Sequence, residues 1–285
     1  MPMTETVTFT GWNGLKMHGI AKGALDAPPV LLAHGGGQTH WAWRRTVDVL
    51  AAAQFRAIAV DLRGHGESEW ASDGNYHFST FARDILAVAQ SLPRKPAMVG
   101  ASLGGLAGMI VEGEIAPGSF ASLTLVDITA RPDTQGVARI TGFMRAHVEE
   151  GFASPEEAAA AIGNYTANRE RRGPSDSLRR YLREGSDGRF RWHWDPAFMR
   201  SVDVQQPQDP ERIPNAARAL KLPVHLVRGG SSDLVPIEAA QDFLKDVPHA
   251  AFTDIKGAGH MVVGDRNDAF SDAIVGFLKD HSQAT

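Results

Sequence analysis

Val99-Gly100-Ala101-Ser102-Leu103-Gly104-Gly105 closes an apolar run that begins at Pro96 and leads directly into a helix-like stretch. A serine flanked at two-residue distance by glycines, between a strand signal and a helix signal, is the G-x-S-x-G pattern of a tight strand-to-helix turn. The requirement is steric. Side chains at 100 or 104 would strike the neighbouring strand or helix, and the serine must itself accept strained backbone angles. Its hydroxyl is thereby held in the open. The Leu103 amide is left at a helix N-terminus, where an unpaired N–H and the positive end of the macrodipole suit a developing oxyanion.

The signals on either side come in a consistent order. Upstream, Pro29-Val30-Leu31-Leu32-Ala33 reads as a short buried strand ending in His34-Gly35-Gly36-Gly37. Consecutive glycines can turn backbone N–H groups toward a ligand without steric cost, so Gly36 is the candidate second oxyanion donor, with His34 a scaffold residue. Downstream, Leu222 to Arg228 reads as another buried strand, followed by Gly229-Gly230-Ser231-Ser232-Asp233. A last strand over Ala250 to Ile255 precedes Gly257-Ala258-Gly259-His260-Met261. The chain order Ser102, Asp233, His260 is that of one catalytic-triad fold and differs from the order in chymotrypsin-like and subtilisin-like proteases.

These stretches, with Asp61-Leu62-Arg63-Gly64-His65-Gly66-Glu67-Ser68, resemble the capped α/β-hydrolases, the branch holding esterases, epoxide hydrolases and non-haem haloperoxidases. The resemblance covers essentially the whole chain. It implies an α/β architecture with a mostly parallel sheet of about eight strands flanked by helices, and a helical cap inserted after strand 6. Relatives that open epoxides or displace halide use a carboxylate at the elbow. Ser102 stands there in this chain, which disfavours an alkyl-enzyme ester. Some members of the fold place the triad acid after the sixth strand, so Asp127, which ends the Leu123-Thr124-Leu125-Val126 run, stays open as the alternative to Asp233. The Asp61 to Ser68 stretch is expected to be a turn whose charged neighbours pair locally.

Strand and helix signals alternate up to about residue 127. Strands are expected at Thr6–Thr10, Lys16–Ala21, Val30–Ala33, Ala57–Val60, Ala97–Gly100 and Leu123–Val126, and helices at Trp41–Ala53 and Phe81–Leu92. From Arg131 to Leu220 strand signals give way to helix formers, with helices expected at Ala138–Glu150, Pro155–Asn168 and Ser175–Glu184. The expected domains are a core of residues 1–130 and 221–285 and a cap of residues 131–220. The cap carries Phe190-Arg191-Trp192-His193-Trp194-Asp195, in which Trp192 and Trp194 either anchor the cap or line a substrate pocket. His40 and Trp41, just after the glycine run, are further candidates for substrate contact.

At 285 residues, 43% hydrophobic and 22% charged, the chain can bury a large core. A net charge of −4 without a long like-charged block argues against nucleic acid or an anionic membrane as partner. With no cysteines there is no disulfide, thiolate catalysis or Cys-ligated metal. The eleven histidines are scattered without ligand spacing, and no dinucleotide or phosphate-loop glycine pattern occurs, so no metal and no cofactor is expected. No secretory signal is evident, and a cytoplasmic monomer or homodimer is the expectation. The expected activity is hydrolysis of a small or medium, fairly hydrophobic ester or lactone by Ser102, His260 and Asp233, with Gly36 and Leu103 as the oxyanion hole. Three alternatives remain: a carbon–carbon hydrolase acting on a β-diketone, a perhydrolase or haloperoxidase, and a ligand-binding protein on a hydrolase scaffold.

Overall fold

Runs of apolar residues too short for helices form a central sheet in the computed structural model, which describes residues 3–165, 181–204, 209–258 and 268–281. In chain order the first part contains β1 (Glu5–Thr10), β2 (Lys16–Lys22), β3 (Pro29–Ala33), α1 (Arg44–Ala52), β4 (Arg56–Val60), α2 (Phe78–Ser91), β5 (Ala97–Ala101), α3 (Leu103–Ile110) and β6 (Leu123–Val126). There follow α4 (Thr134–Arg145), α5 (Pro155–Tyr165), β7 (Leu182–Glu184), β8 (Phe190–Trp192), α6 (Pro196–Val204) and α7 (Arg212–Arg218). The chain ends with β9 (Val224–Gly229), α8 (Ile237–Asp246), β10 (Ala251–Ile255) and α9 (Asp268–His281). Each of the first six strands lies within one residue of the stretch expected from sequence.

Eight strands pair in the order β1-β2-β4-β3-β5-β6-β9-β10. The β1–β2 and β2–β4 pairs are antiparallel, and every pair from β4 to β10 is parallel. A parallel sheet must be covered on both faces, and the alternation along each strand divides its side chains between two cores. Leu31, Ile58, Val60, Met98, Leu125 and Leu226 face α2 and α3, where Phe81, Ile85, Val88 and Ile110 meet them. Val30, Leu32, Ala59, Val99, Val126 and Val227 face α1 and α9, packing on Val47, Leu50, Phe270 and Ile274. The carboxyl ends of β3, β5, β6 and β9 therefore open on one edge, where ligands collect in sheets of this kind.

Between β6 and β9 the expectation of helices alone is corrected. Leu182–Glu184 is strand, not helix, and pairs antiparallel with Phe190–Trp192; residues 175–180 of the expected third helix lie outside the described residues. The reason is local: Gly188 takes φ 73° in the connecting turn, which a helix interior would not supply. Phe190-Arg191-Trp192 alternates aromatic and charged side chains as a strand does. A bridge from Phe152 to Phe190 ties this hairpin to the segment that precedes α5. Among the described residues no helix is long and apolar enough to cross a membrane.

Candidate active site

Ser102 sits between β5 and α3 with φ 45° and ψ −112°, a conformation that costs a non-glycine residue on the order of 1–3 kcal/mol. The glycines around it are required by contact. A Cβ on Gly100 would lie 2.4 Å from the Gly105 nitrogen, and one on Gly104 would lie 2.4 Å from the Ala33 carbonyl oxygen. The turn is held by the Ser102 N–H donating to Val126 O at 3.0 Å and the Gly104 N–H donating to His34 O at 3.1 Å.

The glycine loop after β3 lies against this turn, for a Cβ on Gly35 would meet Ser102 Cβ at 3.3 Å. Gly35 N–H donates to Gln38 Oε1, Gln38 N–H to Gly35 O, and Gly37 N–H to His65 Nε2. Among the described residues the Gly36 and Leu103 N–H groups have no acceptor. A Cβ on Gly36 would touch Phe198 at 3.3 Å and Leu103 Cδ2 at 4.0 Å, so the side chains of Phe198 and Leu103 pack closely on this loop. Phe198, from α6, is a neighbour of this loop that the sequence pattern does not mark; it sits four residues beyond Trp194, outside the aromatic run of 190–194.

Three buried histidines support this loop. His34 Nδ1 donates to Gly35 O and its Nε2 accepts from Leu62 N–H. His65 Nδ1 donates to Arg63 O while Nε2 accepts from Gly37 N–H. His193 Nδ1 accepts from Gly66 N–H at 2.8 Å and Nε2 donates to Gly37 O at 3.2 Å. Each ring therefore has one acceptor nitrogen facing a backbone donor, which only the neutral form allows. Burial pushes the three well down, His34 to about 3, His65 to about 4 and His193 to about 3, and His65 lowers the other two further.

Two carboxylates stand near the ends of β6 and β9. Asp127, φ 50° and 1% exposed, accepts from the Gly229 N–H at 2.9 Å and from Ser232 Oγ at 2.6 Å. It follows Val126, the residue paired with Ala101, so it ends its strand beside the Ser102 turn. Asp233 lies in the loop after β9 with its side chain 36% exposed and Arg139 Nη1 of α4 at 2.5 Å from Oδ2. His260 lies outside the described residues. The chain leading to it is anchored on the same loop, since Ser231 N–H donates to Ala258 O and Gly230 N–H to Ile255 O, each at 2.8 Å.

The remaining candidates separate. His40 is 2% exposed, and both its Nδ1 and its backbone N–H are engaged by Asp61, which ties it to the Asp61 turn. Trp41 is half-buried, with the Arg44 guanidinium 5.2 Å above its ring. Trp194 approaches the loop, its Nε1 being 3.5 Å from a Cβ placed on Gly37. Trp192 packs edge-on against Phe152 at 5.0 Å. Both tryptophans also line a cleft of about 200 Å³ with Trp70 and Arg183.

Among the described residues His18, His40 and Asp61 bring potential ligand atoms within 4.8 Å of one another. The Asp61 oxygens, however, already accept from the His40 N–H at 2.7 Å and the Glu67 N–H at 3.0 Å. Burial alone would raise the Asp61 carboxyl, but hydrogen bonds from His18 and His40 outweigh it and hold the group far below the usual carboxylate range. The cluster thus knots together the Asp61 to Ser68 turn.

The chain is 30% identical over 289 residues to an esterase of Mycobacterium tuberculosis, covering 98% of this chain and 90% of that one. It is 28% identical over 250 residues to the 3-hydroxybutyrate-oligomer hydrolase of Cupriavidus necator, covering 82% and 83%. The crystal structure of E-2-(acetamidomethylene)succinate hydrolase superposes with a TM-score of 0.83 at 23% identity, covering 97% of this chain and all of that one. The family described as alpha/beta hydrolase fold matches residues 28–266, and the chain belongs to that family.

Proposed function

We propose that this chain is a serine hydrolase that cleaves a small or medium, fairly hydrophobic carboxylic ester or lactone through an acyl-enzyme. The observation that carries the reading is Ser102 on its strained turn against the glycine loop, with the Gly36 and Leu103 N–H groups of these two segments lacking acceptors among the described residues. Open backbone donors beside a half-buried nucleophile suit a tetrahedral oxyanion, whose charge they stabilise with no reorganisation. The names of the esterase and oligomer-hydrolase relatives support an ester as substrate.

In this reading His260 takes the Ser102 proton as Oγ attacks the acyl carbon, and the Gly36 and Leu103 amides hold the oxyanion. The alcohol leaves with the proton returned by His260. Water, deprotonated by the same imidazole, then attacks the acyl-enzyme, and the carboxylic acid departs as Ser102 regains its proton. The residues 131–220 act as a cap that shapes the acyl pocket through Phe198 and Trp194. Of the two carboxylates, Asp127 is the better acid for orienting His260, because it is buried, backbone-fixed and adjacent to the Ser102 turn, whereas Arg139 occupies Asp233. Asp233 remains the competing assignment.

The test is intact-mass analysis after exposure to a fluorophosphonate, alongside turnover of p-nitrophenyl esters and lactones. One phosphonyl adduct on Ser102, lost in Ser102→Ala together with turnover, is the expected result. Ester turnover surviving in that variant at more than the residual level of an oxyanion hole alone would remove Ser102 from the role of nucleophile.

A further inference from the structure

We propose that His193, carried by the segment between β8 and α6, is a positioning residue that sets the oxyanion donor of Gly36. The proposal rests on the hydrolase reading above and adds a residue supplied from outside the sheet. Two peptide planes carry the coupling. Gly35 C=O and Gly36 N–H belong to one planar trans peptide, so whatever fixes the Gly35 oxygen aims the Gly36 N–H in the opposite direction. That oxygen accepts from His34 Nδ1 at 2.7 Å and from the Gln38 N–H at 3.1 Å. Gln38 N–H in turn shares its peptide with Gly37 C=O, and the Gly37 oxygen is the atom His193 Nε2 holds at 3.2 Å.

His193 thus grips the far end of a two-peptide lever whose near end is the oxyanion donor. Gly37 needs the grip, because at φ 76° it has no side chain to limit its conformations. The grip is itself anchored. Nδ1 accepts from Gly66 N–H, two residues later the Asp195 N–H donates to Gly64 O at 2.8 Å, and Tyr76 Oη donates to Asp195 Oδ2 at 2.6 Å. The ring is 3% exposed, and its two nitrogens bridge the Gly66 turn and the glycine loop, so it stands between loop and turn without reaching the reacting atoms.

The experiment compares His193→Ala, His193→Gln and His193→Asn, each checked for folding by thermal melt. It follows kcat and KM for p-nitrophenyl butyrate, Ki for an alkyl trifluoromethyl ketone, and the rate of fluorophosphonate labelling. The ketone forms a hemiketal on a serine and places its oxygen in the hole, so its affinity reads the donor directly. Loss of an aimed donor is expected to lower kcat about 10- to 100-fold in the Ala variant, with KM within about threefold and ketone affinity falling in proportion to kcat/KM. Gln, whose amide nitrogen reaches the Nε2 position, should recover more than Asn, which reaches only the Gly66 side. Unchanged ketone affinity, a loss confined to KM, or Asn performing as well as Gln would overturn the proposal. A wild-type protein that takes no label at Ser102 would overturn the hydrolase reading itself, while variants labelled as fast as wild type would overturn this proposal alone.

Discussion

Asp127 receives a backbone N–H and a serine hydroxyl in a dry setting, and Asp233 faces an arginine near solvent. A carboxylate that must fix one histidine tautomer works best where its own position is fixed and water is excluded. Asp127→Asn is therefore expected to lower kcat on the order of 10⁴-fold, as for loss of a triad acid, while Asp233→Asn costs at most about tenfold. Ester turnover of the two purified variants decides the ranking, and the reverse order would return the role to Asp233. Ser102 and its glycines were legible because the need for Gly100 and Gly104 is written within five positions. The environment of Asp127 was not, because Ser232 lies 105 positions away and only the sheet brings the two together.

Elements behaved differently according to how much of their stabilisation is local. Strands β3 to β6 were legible because runs buried on both faces leave a continuous apolar signature, and β1 and β2 because burial alternates along them. The β7–β8 hairpin was not, since three-residue strands carry too few side chains to establish a period, and Leu182–Glu184 resembles the helix formers around it. The two tryptophans around that hairpin have different neighbours. Trp194 abuts Gly37 and packs edge-on to Phe198 at 6.2 Å, whereas Trp192 fills the space against Phe152 and Phe143. On the proposed hydrolase reading, Trp194→Ala is expected to shift the preference among p-nitrophenyl acyl chain lengths toward bulkier groups, because it removes bulk beside the glycine loop. Trp192→Ala should leave that preference unchanged and lower stability by about 3–5 kcal/mol, as for other buried aromatic truncations. Measuring kcat/KM across the chain-length series together with denaturant melts separates the two; equal shifts in preference would merge their roles.

Across the whole molecule, a buried set of neutral histidines links the sheet edge, the Arg63–Gly66 turn and the insert. Their folded values of about 3 to 4 lie below the ordinary 6.5, so the unfolded chain binds protons first. Stability from these three is complete above pH of about 6.5 and is lost as pH falls toward 4. His18 works in the opposite sense: the Asp61 hydrogen bond raises it, so its contribution holds at low pH and fades as pH rises. Being partly exposed and single, it offsets only a part of the trend. The melting temperature should therefore drop steadily between pH 6.5 and 4.5, before most carboxylates titrate, and a flat profile over that interval would contradict the assignment of all three as neutral. His193→Gln should flatten the profile by removing one of the protonation sites.

The contact of His193 with both Gly66 and Gly37 bears on how this scaffold can be altered. Inserts between β6 and β9 are an attractive unit for exchange, since both ends leave from neighbouring strands of the sheet. A transplanted insert that fits the apolar seam would still leave the Gly66 N–H and the Gly37 carbonyl without their shared partner. A recombinant enzyme made this way would be expected to bind its new acyl group and turn it over slowly, unless the graft junction is drawn to retain the imidazole. The boundary for modular redesign therefore lies before residue 193 and not at the start of β9.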